Sequence, residues 1–329
     1  MSDLRKKVLS LKEHLQSIIV GQDDLISKML IALLSSGHIL LEGAPGLAKT
    51  KAIKTLASSV SASFNRIQFT PDLLPSDITG SDIYLTGENK FEFKKGPVFA
   101  NFVLADEINR APAKVQSALL EAMAEHQVSV GGKEYKLPDL FMVMATQNPI
   151  EHEGTYNLPE AQLDRFLMYI KINQPDTKAE KQILKLVRAE DMACGDNQAC
   201  WDNEQTTFQK ITQDTVLGAR QEVLRTHLSE EMEDYLVALV MATRHIEKYD
   251  GALAGMVRYG ASPRATIALD KCAKAHAWLD GRDFVMPEDI HAICYDVLRH
   301  RIILSFEALA EGLTTDEVIT KLLKIVPLP

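Results

Sequence analysis

The sequence predicts an α/β domain built on a parallel sheet, followed by an all-α domain, in a chain of 329 residues. Three observations carry this. Short apolar runs of β-forming residues alternate with helical patterns through the first half, an alternation that favours a parallel sheet covered on both faces. The strand signals stop after "NQPDTKAE" (173 to 180), and from there apolar residues recur at three- and four-residue steps. The length also suits two domains better than one. The expected division is 1–175 and 176–329.

The chain opens with "MSDLRKKVLSLKEHLQSIIVGQ", where charged and apolar residues alternate at helical spacing without the unbroken apolar stretch of a signal peptide. Strand candidates are "HILLEG" (38 to 43), "FNRIQF" (64 to 69), "NFVLADE" (101 to 107), "FMVMAT" (141 to 146) and "FLMYIKI" (166 to 172). Between them lie the helical "KTKAIKTLASSV" and "APAKVQSALLEAMAEH". Two inserts break the rhythm and read as β-hairpins. One spans 80–97, turning at "TGEN" with Phe91 and Phe93 on one face; the other spans 127–137 and turns at Gly131-Gly132. In the second half, "EEMEDYLVALVMATRHI", "PRATIALDKCAKAHAWL" and "MPEDIHAICYDVLRH" read as helices, the last with proline near its start. Residues 193–206 read as a polar loop with no function attached.

Composition is that of an ordinary globular protein, with 46% hydrophobic and 25% charged residues. A net charge of -9 opposes general attraction to nucleic acid or an anionic membrane. No stretch approaches the roughly 18 apolar residues that span a bilayer, so the expected location is the cytoplasm. Cys194, Cys200, Cys272 and Cys294 form no CxxC pair and have no matching histidines, so neither a zinc site nor a disulfide framework is signalled.

The chemistry gathers in five short motifs. "GAPGLAKT" (Gly43, Ala44, Pro45, Gly46, Leu47, Ala48, Lys49, Thr50) lies between a strand and a helix and departs from G-x-x-x-x-G-K-[ST] only at Ala48. In that setting backbone N–H groups can face the β- and γ-phosphates of ATP, with Lys49 adding a charge and Thr50 a hydroxyl for Mg²⁺. Ala48 is tolerable if its φ is negative. "FVLADE" ends an apolar strand on Asp106 and Glu107, a pair able to hold Mg²⁺ and to orient or deprotonate the attacking water. "ATQNP" closes another buried strand beside Asn148, whose amide can meet the γ-phosphate or the water, or merely begin a turn. In "LPEAQLDRF", Arg165 suits a γ-phosphate, most usefully a neighbouring subunit's, or else an ion pair with Asp164 or Glu160. "GASPRAT" offers Ser262 as an N-cap, Pro263 as the first helical residue, and Arg264 just inside, where a cation opposes the helix dipole unless an anion lies nearby.

"LLEGAPGLAKT", "LADEINRAPAKVQSALLEAMAEHQVSVGG", "ATQNPIEHEGTYNLPEAQLDRFL" and "GASPRA" together resemble the MoxR family of AAA+ ATPases, over most of the chain. That family's phosphate loop commonly carries alanine at the position of Ala48. The resemblance implies an AAA+ core with a five-stranded parallel sheet, a C-terminal helical lid, assembly into rings (usually hexamers), and ATP-driven remodelling of client proteins. It assigns Lys49 and Thr50 to phosphates and Mg²⁺, Asp106 and Glu107 to metal and water, Asn148 to the first sensor, Arg165 to the arginine finger and Arg264 to the second sensor. Gly21 and Gln22, in "IVGQ", match the segment near the adenine. The insert at 80–97 resembles one that this clade, magnesium chelatase subunits included, directs towards the ring's pore or face, where Phe91 and Phe93 can meet a client or simply pack. A partner carrying a von Willebrand A domain is a further expectation.

A nucleic-acid motor could use pore lysines such as Lys94 and Lys95, although the net charge of -9 opposes it. A magnesium-chelatase-like subunit shares the same motifs. A nucleotide-binding switch without turnover is opposed by Glu107 and Arg165.

Overall fold

The computed structural model describes residues 2–44, 49–87, 89–148, 154–194 and 208–329. Pro45, Gly46, Leu47, Ala48, Glu88, Cys200 and nearly all of the 193–206 stretch lie outside the described residues.

Two helices, α1 (Asp3–Ile18) and α2 (Asp23–Leu34), precede β1 (Ile39–Glu42), α3 (Lys49–Ser59) and β2 (Phe64–Gln68). A single turn, α4 (Pro75–Thr79), enters the hairpin of β3 (Gly80–Leu85) and β4 (Lys90–Lys95). Then come β5 (Phe102–Asp106), α5 (Ala113–Glu125), a second hairpin of β6 (Gln127–Val130) and β7 (Lys133–Lys136), β8 (Met142–Gln147), the short α6 (Glu160–Leu163) and β9 (Met168–Lys171). The second half holds α7 (Thr177–Cys194), α8 (Gln213–Leu224), α9 (Glu230–Arg244), β10 (Val257–Tyr259), α10 (Pro263–Leu279), α11 (Pro287–Leu298), β11 (Ile303–Leu304), α12 (Phe306–Ala310) and α13 (Thr315–Ile325). It is helical apart from the two-stranded ribbon of β10 and β11.

The central sheet has five strands in the order β2-β5-β8-β1-β9, every neighbouring pair parallel. The inner strands β5 and β8 look apolar in sequence because both faces are covered, whereas the edge strand β2 exposes Arg66 and Gln68. Along β5, Phe102 and Leu104 enter one hydrophobic cluster while Val103 and Ala105 enter the other. Residues Met142 and Met144 of β8 divide from Val143 and Ala145 in the same way. Each large aliphatic side chain so buried contributes about 1.5–3 kcal/mol. One cluster continues from the sheet through α1 and α2 into α8, α9, α10, α11 and α13, so the N-terminal helices share a core with the C-terminal ones.

The two hairpins pack on each other. Phe93 stacks on Tyr135 at 3.9 Å between ring centres and meets Phe99 edge-on. Gly131 approaches so closely that a Cβ there would lie 2.4 Å from Asp82 Oδ2. Gly131 and Gly132 both have positive φ, +58° and +75°, as a tight two-residue turn demands. Phe91, by contrast, is 71% exposed and touches Tyr84. The two aromatics therefore have different surroundings although they share a strand face.

At the amino-terminal end of the sheet, buried His38 joins three elements. Its Nδ1 accepts from Val143 N–H at 2.9 Å, its Nε2 bonds Met123 O at 3.2 Å, and its own carbonyl accepts from Leu167 N–H at 2.8 Å. A ring that accepts at Nδ1 and donates at Nε2 is neutral. Burial pushes its pKa down to about 4 from the ordinary 6.5, and burial also lowers that of His300. Because the folded state holds this proton less readily than the unfolded chain, stability is full above about pH 6.5 and falls as pH drops towards 4. We expect about 3 kcal/mol of loss across that window from His38, and a shallower slope in His38→Gln, read by urea unfolding at several pH values.

Candidate functional site

The carboxyl ends of β1, β5 and β8 converge on one edge of the sheet, where α/β proteins bind ligands. Gly43 and Ala44 leave β1 there, and α3 begins at Lys49, so the N–H groups and positive dipole end of its first turn face this edge. Lys49 Nζ donates to Gly43 O at 2.7 Å. Burial lowers the Lys49 pKa, and the negative charges of Asp106 and Glu107 act in the opposite direction, which sets both carboxylates within electrostatic reach of the ammonium. Thr50 is half-buried beside it.

Asp106 and Glu107 end β5 in a fixed arrangement. Asp106 Oδ1 accepts from Thr146 Oγ1 at 2.7 Å, and the same Thr146 Oγ1 accepts from Glu107 N–H at 2.9 Å. Glu107 adopts a left-handed backbone, φ +56°, which costs a non-glycine residue about 1–3 kcal/mol. Its carboxylate accepts from Gln68 Nε2 at 2.9 Å and pairs with Arg110 Nε at 3.1 Å. Arg66 donates to Asp106 Oδ2 at 2.5 Å through Nη2 and to Gln68 Oε1 at 3.2 Å. Asn148 follows β8 directly, half-buried, on the strand lying between β1 and β5.

Gly21 and Gln22 approach the same edge from the N-terminal side. Gln22 Nε2 donates to Asn173 O at 3.5 Å, just beyond the carboxyl end of β9. Gly21 has φ +76°, and a Cβ there would sit 2.6 Å from Ala179 Cβ, so glycine is required both by conformation and by room. The donor set suits a magnesium nucleotide: a lysine and a helix N-terminus for phosphate, and the Thr50 hydroxyl and Asp106 carboxylate as oxygen ligands for Mg²⁺. A cavity of about 630 Å³ bounded by Leu34, Arg220, Lys271 and Lys274 contains none of these groups.

Arg165 and Arg264 lie elsewhere. Arg165 precedes β9, and Leu167 bonds His38 just before β1, so the Arg165 segment is at the amino-terminal end of the sheet. Arg165 Nη1 donates to Leu120 O at 2.7 Å rather than pairing with Asp164 or Glu160. Asp164 instead pairs with Arg301 at 2.7 Å and lies 3.7 Å from Arg264 Nη1. Ser262 caps α10 with Pro263 at its first turn, as the motif predicts, and Arg264 follows in that turn. The anion that offsets Arg264 against the helix dipole is Asp164.

Sequence reasoning missed Thr146, Gln68, Arg66 and Arg110. A period-two reading of "FNRIQ" had the signal for two of them: Arg66 and Gln68 share one face, and the register sets Gln68 opposite Asp106.

A wound parallel sheet with a phosphate-type loop, an acidic pair at a strand end and a helical lid defines an ATPase of the AAA+ class. The chain matches the model of the "ATPase family associated with various cellular activities (AAA)" over residues 38–168 and that of the "AAA lid domain" over 252–322. It is 46% identical over 317 residues to Chaperone MoxR1 of Mycobacterium tuberculosis, covering 96% of this chain and 81% of that protein. It is 42% identical over 317 residues to the uncharacterized protein YeaC of Bacillus subtilis, covering 96% and 93%. A crystal structure from Cytophaga hutchinsonii of a protein provisionally assigned as an ATPase superposes with a TM-score of 0.89 at 47% identity, covering 99% of this chain and 96% of that one. The chain belongs to the MoxR family of AAA+ ATPases.

Thr146 is the test of the acidic pair. Thr146→Val removes both of its hydrogen bonds while keeping shape, so the Glu107 backbone and the Asp106 carboxylate lose their tie to β8. We expect turnover to fall about ten- to hundredfold, with ATP affinity changed less than about threefold. Equal losses in binding and turnover, by calorimetry and phosphate release, would contradict this role.

Proposed function

We propose that this chain works as a ring of identical subunits, hexameric by analogy with its class, in which Mg²⁺-dependent ATP hydrolysis drives the remodelling or maturation of a client protein. The name of the 46% identical relative, Chaperone MoxR1, supports the chaperone part. Metal or cofactor insertion into a client, and a partner with a von Willebrand A domain, belong to the same proposal. We take residues 1–175 as the nucleotide-binding domain, 176–329 as the lid, and the cytoplasm as the place of work.

In this reading Lys49 and the start of α3 hold the β- and γ-phosphates. Mg²⁺, when bound by Thr50 and Asp106, supplies charge neutralisation between the phosphates. Glu107 accepts the proton of the attacking water, held in line by Gln68, Arg110 and the Thr146 bond to its backbone. Asn148 meets the γ-phosphate or the water, and Gln22 and Gly21 border the adenine.

The observation that carries the ring is the separation of cations. Lys49 follows the carboxyl end of β1, whereas Arg165 and the Arg264 beside Asp164 lie at the opposite, amino-terminal end. Even four strand residues span about 13 Å, so neither arginine serves the same chain's phosphates in this arrangement. A second subunit presenting its amino-terminal end to the first one's phosphate loop supplies both.

This predicts complementation. Arg165→Ala rings bind ATP but do not hydrolyse it, and Lys49→Ala rings do not bind it. Mixing them with confirmed subunit exchange creates interfaces with an intact loop facing an intact Arg165, and ATPase activity returns. A mixture as inactive as its parents would contradict the shared site.

A further inference from the structure

One carboxylate is tied to both arginine-bearing segments. Asp164 Oδ1 accepts from Arg301 Nε at 2.7 Å, and Arg301 also donates to Phe166 O at 2.6 Å and Leu167 O at 3.2 Å. The Arg301 side chain is only 3% exposed, so the segment preceding β9, with Arg165 in it, is anchored to the end of α11 from within. The second oxygen, Asp164 Oδ2, accepts from Ser262 Oγ at 2.8 Å. That same Ser262 Oγ accepts the backbone N–H of Arg264 at 3.2 Å, closing the first turn of α10. Arg264 Nη1 stands 3.7 Å from Oδ2, and its side chain is 54% exposed.

These contacts have unequal stiffness. The Arg301 pair is buried and backed by four carbonyl contacts, to Asp164, Phe166, Leu167 and Val297. The Ser262 bond is short and neutral-to-charged, hence strong for its kind. The Arg264 pair is longer and open to solvent, so it is weak and screened. The carboxylate thus fixes the start of α10 firmly while holding the Arg264 guanidinium loosely, free to exchange one anion for another.

We propose that Asp164 is a positioning residue for ATP hydrolysis: through Ser262 it sets the α10 N-terminus, and so Arg264, beside Arg165, presenting the two arginines as a pair to a neighbouring subunit's nucleotide. This rests on the reading of Arg165 and Arg264 given above. It gives Asp164 a role that touches neither substrate nor metal and acts through Arg264. Lid and strand segment then move as one body at this end, because the Arg301 bonds and the Ser262 bond share a carboxylate.

Ser262→Gly is the most selective test. Glycine is nearly as good an N-cap as serine, so the helix persists, while the bond to Asp164 is lost and the Asp164–Arg301 pair remains. Full-length rings of Ser262→Gly, Asp164→Asn, Arg264→Ala and Arg165→Ala, and the double variant Ser262→Gly with Arg264→Ala, are compared for ATP affinity and for turnover. ATP affinity in Ser262→Gly should stay within about twofold of the parent while kcat falls about tenfold. In the Arg264→Ala background the same change should cost less than about twofold more, since it acts through the missing side chain. Mixing Asp164→Asn with Lys49→Ala subunits should restore hydrolysis, because the latter bring an intact Asp164. Independent, multiplicative losses in the double variant, or an unchanged kcat in Ser262→Gly, would overturn the proposal. Should Asp164→Asn fail to fold, the Ser262→Gly pair decides alone. If Arg264→Ala and Arg165→Ala themselves leave turnover unchanged, the underlying reading of the arginines fails; if they lower it and Ser262→Gly leaves it unchanged, only the positioning role fails.

Discussion

A parallel sheet has two unlike ends, and β1 and β9 run side by side from the Ile39–Met168 pair to the Glu42–Lys171 pair. Everything that leaves a strand's carboxyl end collects on one side of the molecule, and everything that enters a strand collects on the other. The first side receives Gly43, Lys49, the Asp106–Glu107 pair and Asn148. The second receives Arg165 and, through Asp164, Arg264. Lys49 and the acidic pair are thus on one edge, while Arg165 and Arg264 are on the far edge. That polarity is a property of the strand order and direction, and no rotamer change reverses it.

Buried charge pairs attach the helices that close the molecule around this sheet. Lys28 of α2 meets Asp296 of α11 at 2.7 Å, and Arg299 meets the same carboxylate at 2.6 Å. Burial raises the Asp296 pKa, while Lys28 and Arg299 oppose it. Arg299 also reaches Tyr169 O on β9 at 2.8 Å, and Arg5 reaches Gly281 O and Arg282 O near the end of α10. Pairs of this kind add little net stability against apolar replacements, yet breaking one side costs about 3–5 kcal/mol because a charge is left buried alone. They specify position more than they add strength. The shared core of α1, α2 and the C-terminal helices supplies the strength.

The parallel sheet was legible because "HILLEG", "NFVLADE" and "FMVMAT" are apolar on both faces, which only a two-sided sheet satisfies. The N-cap at Ser262 and the placing of Asp106 and Glu107 at the end of a strand were legible because each is a local pattern with its own spacing. The ribbon of β10 and β11 was not, since its strands lie far apart in sequence and "VRY" carries no alternation long enough to read. Thr146 was hidden for another reason: a threonine inside a strand looks like an ordinary β-former, and only the juxtaposition of β8 with β5 reveals that its hydroxyl serves two neighbours. Asp164 was legible only as one of two alternative ion-pair partners for Arg165, beside Glu160. Its real partners, Arg301 and Ser262, are 137 and 98 residues away, a separation that no local rule reaches.

In the proposed shared site a subunit binds ATP alone but hydrolyses it only with a neighbour. The most direct measurement is turnover per subunit across a dilution series, with the assembled fraction read at each concentration by sedimentation and ATP occupancy by equilibrium binding. With a shared site, occupancy per subunit at saturating ATP stays constant, while turnover rises in proportion to the assembled fraction and vanishes in dilute monomer. Monomers that hydrolyse ATP at the per-subunit rate of the assembly would contradict it.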